Sequence, residues 1–159
     1  MEIRETSFGP KKYIAIKKSI PMSQITDKQM YDDAGKKLGA YVREHSVNVI
    51  GPWSVIYFTW DDATKTTDIA IAFPVSELES VSDPDFSIVE VGRSKASVGT
   101  HMGSYERIGD AHMEMMNYIK ENGYDVESVL GYSIEEYVAG PIENPDESTW
   151  RTDIYYLHA

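Results

Sequence analysis

The sequence predicts an α+β fold. Two β-α-β-β units are expected to join into one antiparallel-rich sheet, with two helices on one face and a ligand cleft at the pseudo-twofold seam. Three observations predict this. The order strand, helix, strand, strand occurs twice along the chain. Gly51 and Gly131, and likewise Tyr57 and Tyr137, stand 80 positions apart, and the identical triplets Thr67-Asp68-Ile69 and Thr152-Asp153-Ile154 stand 85 apart. Hydrophobic residues make up 42% of 159, enough for the core of one domain. Residues 1–159 are read as a single domain, with one unit over about 10–76 and the second over about 86–158.

The elements follow in order. KKYIAIKKSIP (11–21) has β-branched residues and ends on proline, so it reads as a strand. Ile25, Met30, Ala34, Leu38, Tyr41, Val42 and His45 recur at three-to-four spacing, which predicts a helix with Ser23 or Thr26 as N-cap. GPWSVIYFTWDD (51–62) and TTDIAIAFPV (66–75) are strands joined by a short turn, hence a hairpin. The polar, proline-bearing SELESVSDPDFS separates the two units. Residues 86–105 read as one extended stretch with a glycine-rich end. Ile108, Ala111, His112, Met115 and Ile119 form the stripe of a second helix, closed by Gly123. VLGYSIEEYVAG (129–140) and WRTDIYYLH (150–158) are the last strands, around a turn-rich loop.

Alternation along a strand sends neighbours to opposite faces. With the offset of 80, Ser133, Glu135 and Tyr137 share a face with Trp53, Val55 and Tyr57. Tyr132, Ile134, Glu136 and Val138 share the other with Ser54, Ile56, Phe58 and Trp60. The second set is more aliphatic and is expected under the helices, which leaves the aromatic set to line an open trough. One carboxylate among aromatic rings suits a flat, cationic or hydrogen-bonding organic molecule. Glu135 could equally be a solvated strand residue, a bulge would exchange the faces, and Trp53 or Trp150 could serve packing alone.

The run Glu135-Glu136-Tyr137 with Pro141 resembles the E-x-Y-x-x-x-P pattern of GyrI-like small-molecule binding domains, the effector-binding domains of AraC- and MerR-type multidrug regulators. His101-Met102-Gly103-Ser104-Tyr105 is similar to the family's H-x-G-x-Y segment. Asn122-Gly123-Tyr124 resembles its helix exit. Trp150-Arg151-Thr152-Asp153-Ile154 resembles its closing W-x-T-E-I strand, with Asp for Glu. The resemblance implies a ligand site at the seam with Glu135 at its floor, and Tyr137, Trp53, Tyr57, Tyr105 and Trp150 around it. It implies binding of amphipathic, aromatic or cationic molecules. As alternatives it implies hydrolysis of strained cyclopropane-type alkylating natural products, with Glu135 and Tyr137 as the reacting pair, or a protein partner such as a topoisomerase.

Composition bounds these readings. A net charge of −11 argues against a nucleic-acid partner. The absence of cysteine removes disulfides and thiolate chemistry. His45, His101, His112 and His158 show no metal-ligand spacing, so neither metal nor cofactor is expected. No stretch approaches the about 20 apolar residues of a membrane span, and a cytoplasmic location is expected. With the first unit beginning near residue 10, a stand-alone member without a DNA-binding region is expected.

Overall fold

The computed structural model describes residues 1–124 and 133–158. Eight strands form one sheet: β1 (Ile3–Phe8), β2 (Lys11–Pro21), β3 (Ser54–Asp61), β4 (Thr66–Val75), β5 (Ser87–Val91), β6 (Ser94–Met102), β7 (Ser133–Ala139) and β8 (Arg151–Leu157). Two helices, α1 (Lys28–Glu44) and α2 (Ile108–Glu121), complete the fold. The strand order is β1-β6-β8-β7-β3-β4-β2-β5. All the pairings described are antiparallel. Read outward from the central β7–β3 pair, the sheet runs β3-β4-β2-β5 on one side and β7-β8-β6-β1 on the other.

The outer strands depart from the sequence reading. Ile3–Phe8, ahead of the unit expected from residue 10, forms β1 and pairs with β6. The extended stretch 86–105 is two strands broken at Gly92-Arg93: β5 joins β2, while β6 lies between β1 and β8. Each half thus receives its outermost strand from the other. The two crossing connections touch at Gly9, where φ is +78° and a Cβ would lie 2.6 Å from the Gly92 carbonyl oxygen.

The helix ends also differ. Asp27 caps α1, accepting from the Gln29 and Met30 amides at 3.1 and 3.4 Å. An ionised carboxylate at that end also meets the positive pole of the helix, so Asp27 outcompetes Ser23 and Thr26. Asn122 is the C-cap of α2, and Gly123 follows in the left-handed conformation at φ +76°. Gly131 and Tyr132 lie outside the described residues.

The helices cover the face opposite to the one expected. Ala34, Leu38 and Tyr41 of α1 pack with Ile14, Ile16, Val55, Tyr57, Ile69 and Ile71. Ala111, Met115 and Ile119 of α2 pack with Ile154 and Tyr156. The aliphatic face needs no helix because the sheet curls and closes it on itself. Phe8 of β1, Val89 and Val91 of β5, Ile56 and Ile134 share one core, made tight by Ala15, Ala70, Ala72 and Ala96. Lys11 of β2 reaches Glu136 of β7 across this curl.

Candidate functional site between the helices

α1 lies over β2 and β4, and α2 lies over β6. The central β3–β7 pair between them is covered by aromatic side chains. Glu135, on β7 opposite Val55 of β3, points into this gap and is 2% exposed. Its Oε2 lies 3.3 Å from Nε2 of His112 on α2, and Nδ1 of the same ring lies 2.7 Å from the Tyr156 hydroxyl on β8. With Glu135 ionised, this pattern assigns the ring proton to Nε2 and makes Nδ1 the acceptor from Tyr156. Oε1 has no hydrogen-bond partner of ordinary geometry among the described residues. The Tyr57 and Tyr137 hydroxyls come close enough only for a weak contribution, the smallest in raising their own phenols.

The aromatic residues form a continuous set. Trp53 and Tyr137 stack at 4.2 Å with their planes 9° apart. Tyr137 meets Tyr105 edge-on at 5.4 Å, and Tyr105 meets Trp150 at 5.1 Å. On the other side Tyr31 of α1 lies 6.2 Å from Trp53. Tyr57 stacks on Trp60 at 5.0 Å and faces the His112 ring edge-on at 6.3 Å. The six residues singled out from the sequence, Glu135, Tyr137, Trp53, Tyr57, Tyr105 and Trp150, are therefore brought together. Their face is the one under the helices, not an open one.

Two bulges tune this lining. The β3–β4 register shifts between Tyr57 and Thr59, and the β7–β8 register shifts between Tyr137 and Ala139. The first turns Trp60, expected on the aliphatic face, onto the side of Tyr57. Glu136, by contrast, stays on the inner side of the curl at 8% exposure, paired with Lys11.

Electrostatically the gap holds one carboxylate among phenols kept neutral. Burial first, and the Glu135 charge second, push Tyr57 and Tyr137 well above the usual phenol range and Tyr31 up to about 12. Tyr156 is raised by the same two causes in the same order. Tyr105 is raised by burial and then by Glu143.

Three members, Tyr31, His112 and Tyr156, are not among the site residues expected from sequence. The signal for His112 was its place on the apolar stripe of α2, and for Tyr156 its alternation with Ile154. Tyr31 lies next to Met30 and carries no signal of its own. Other motif residues serve structure. His101 Nε2 meets the Ser104 carbonyl at 2.9 Å across the turn before α2. Asp153, in place of the family's Glu, pairs with Arg151 and accepts from Thr100 at 2.9 Å on the inner face.

A separate cavity of about 570 Å³ lies at one end of the sheet, lined in part by Pro10, Lys11, Lys12, Pro52, Pro74 and Gly92. Its lysines are engaged with Glu136 and Glu90, so it offers no counterpart to Glu135. The gap between the helices is the better candidate because it joins a buried carboxylate, free of any Lys or Arg partner among the described residues, to a set of stacked aromatic faces. Among the described residues, no three His, Cys, Asp or Glu side chains are grouped to hold a metal ion, and no helix is long and apolar enough to cross a membrane.

The model of the GyrI-like small molecule binding domain family matches residues 1–158. No curated protein matches. Among solved structures, the EcmrR C-terminal domain superposes with a TM-score of 0.80 at 16% identity, covering 99% of this chain and 97% of that one. EcmrR in its complex with DNA gives 0.82 at 15% identity, and there 99% of this chain covers 57% of the regulator, little more than half its length. SAV2435, solved bound to tetraphenylphosphonium, gives 0.72 at 13% identity, covering 100% of this chain and 94% of that one. A hydrolase encoded by lin2189 of Listeria innocua gives 0.65 at 9% identity, covering 99% and 92%. At these identities the likeness shows the fold.

Proposed function

The chain belongs to the GyrI-like small-molecule binding domain family, and we propose that it senses or sequesters amphipathic aromatic or cationic molecules in the gap over β3 and β7. The observation that carries this is Glu135, buried among Tyr31, Tyr57, Tyr137 and Tyr156 with one carboxylate oxygen lacking an ordinary partner among the described residues. An uncompensated buried carboxylate is costly, and a cation entering the gap would offset that cost. Trp53, Tyr137, Tyr105 and Trp150 offer faces for flat or multi-ring ligands. The net charge of −11 supports the further reading that this chain's own surface does not contact DNA.

The test is a titration of tetraphenylphosphonium and of neutral triphenylphosphine oxide into wild type and Glu135→Gln. Wild type should favour the cation by about tenfold or more, the scale of one charge interaction in a partly desolvated site. Glu135→Gln should bind both with similar affinity. Equal discrimination in both proteins would remove Glu135 from the account.

The Glu135–His112–Tyr156 array also suits a second reading, as a hydrolase. Glu135 could draw a proton from water, with His112 as its outlet toward the surface. Incubation with a strained cyclopropane electrophile separates the two readings: water addition that depends on Glu135 favours hydrolysis, and unchanged substrate favours binding.

A further inference from the structure

The geometry points to His112 as the residue that sets the charge preference of the cleft through its own protonation, admitting cations when neutral and disfavouring them when charged. This rests on the reading that the gap takes cations at Glu135. His112 Nε2 sits 3.3 Å from Glu135 Oε2, inside salt-bridge distance, and its side chain is 21% exposed against 2% for Glu135. It therefore reaches solvent protons while touching a carboxylate that does not.

Charge counting gives the consequence. With His112 neutral, the gap carries the single negative charge of Glu135, which an entering monocation balances. With His112 protonated, the imidazolium already balances Glu135, and a second cation meets a site of zero net charge. Ligand and proton thus compete for one carboxylate, and uptake of a permanent cation should expel a proton from whatever fraction of His112 is charged.

The other groups facing this pair do not compete. From β3, Tyr57 faces both His112 and Glu135. From β8, Tyr156 bonds Nδ1, and Tyr31 from α1 and Tyr137 from β7 complete the surround. All four are phenols that burial, with Glu135 second, holds in the neutral form far above neutral pH. Among these groups, the imidazole is the side chain of the type that gains a proton in mildly acid solution. Tyr156 also holds the ring through Nδ1, so that Nε2 stays aimed at the carboxylate in either protonation state.

The experiment measures tetraphenylphosphonium affinity from pH 8 to pH 5 in wild type and His112→Gln, with neutral triphenylphosphine oxide as reference. Calorimetry in buffers of different ionisation enthalpy counts the protons released. In wild type the cation should weaken toward acid by up to about tenfold per pH unit, with fractional proton release at the acid end and no matching trend for the neutral compound. His112→Gln should lose both the pH trend and the proton release, whatever its affinity at pH 8. A pH trend that persists in His112→Gln assigns it to Glu135 itself and overturns the inference. So does a cation preference in wild type that does not vary with pH. Loss of any cation preference at pH 8 in wild type removes the cleft reading, and this inference with it.

Discussion

Replacing Glu135 by methionine should make the protein more stable while removing its preference for cations. Glu135 is 2% exposed, and its Oε1 has no partner of ordinary geometry among the described residues. A buried acceptor left unmatched costs about 1–3 kcal/mol, more when charged. Methionine has nearly the same length, fills the site without a cavity, and makes favourable contacts with the surrounding rings. Against this stands the loss of the His112 contact, about 0.5–1.5 kcal/mol, softened because the 21% exposed His112 side chain can turn to water. The central values leave a gain of about 1 kcal/mol, which for a chain of this size raises Tm by roughly 2–4 °C. Thermal unfolding of wild type and Glu135→Met at pH 7.5, followed by near- and far-ultraviolet circular dichroism, reads it directly. A fall in Tm would refute the reasoning. It would mean that the Tyr57 and Tyr137 hydroxyls satisfy Oε1 fully, so that the carboxylate is a structural keystone and not a site held ready for a ligand.

Other outcomes are expected. Asp27→Ala removes the acceptor of two amides and should cost about 0.5–2 kcal/mol in urea unfolding, whereas Ser23→Ala should cost almost nothing. Gly140→Ala places a methyl 2.6 Å from the Tyr105 hydroxyl, so Tyr105 must tilt against Tyr137 and Trp150; affinity for tetraphenylphosphonium should fall severalfold with little change in Tm. Stability should be level from pH 7 to about 9.5 and decline above pH 10, the ordinary phenol value. Tyr31 is raised to about 12, with Tyr57, Tyr137 and Tyr156 also raised, so the unfolded chain loses these protons first and stabilisation fades as pH climbs toward the folded values. Absorbance at 295 nm should then show the more accessible tyrosines ionising in the folded chain and the buried ones only together with unfolding; ionisation of all eleven without unfolding would contradict the burial.

Much of this was legible because strand alternation and repeat offset are local. Glu135 and Tyr137 share a face with Trp53, Val55 and Tyr57 in the sequence, and the β3–β7 register pairs Glu135 with Val55. What covers a face is not local. Aliphatic Ile56 and Ile134 look like a helix-packing surface, yet they are covered by the sheet's own curl, brought about by β1 and β5 at its edges. Ile3–Phe8 gave little strand signal because Arg4 and Glu5 interrupt its apolar pattern. Trp60 went to the wrong face because a bulge adds a residue that alternation does not count. His112 was hidden by its company: one histidine on an apolar stripe gains meaning only when α2 sets it against β7.

The exchange of outer strands delays the pairing of the first strand of the chain. Ile3 of β1 waits for Gly99 of β6, and among the described residues β1 has no other strand partner. At a synthesis rate of about 5–20 residues per second, that wait lasts roughly 5–20 s, during which β1 is an open edge. Arg4 and Glu5 then act as guards, keeping the waiting strand soluble and unattractive to other chains. Glu5 later accepts from Ser97 of β6 and Tyr118 of α2, so the charge that protects the nascent strand also fastens it once its partners arrive. Because the lacing passes through Gly9 and Gly92, a side chain at Gly9 would obstruct the crossing of the two connections while leaving the cleft residues untouched.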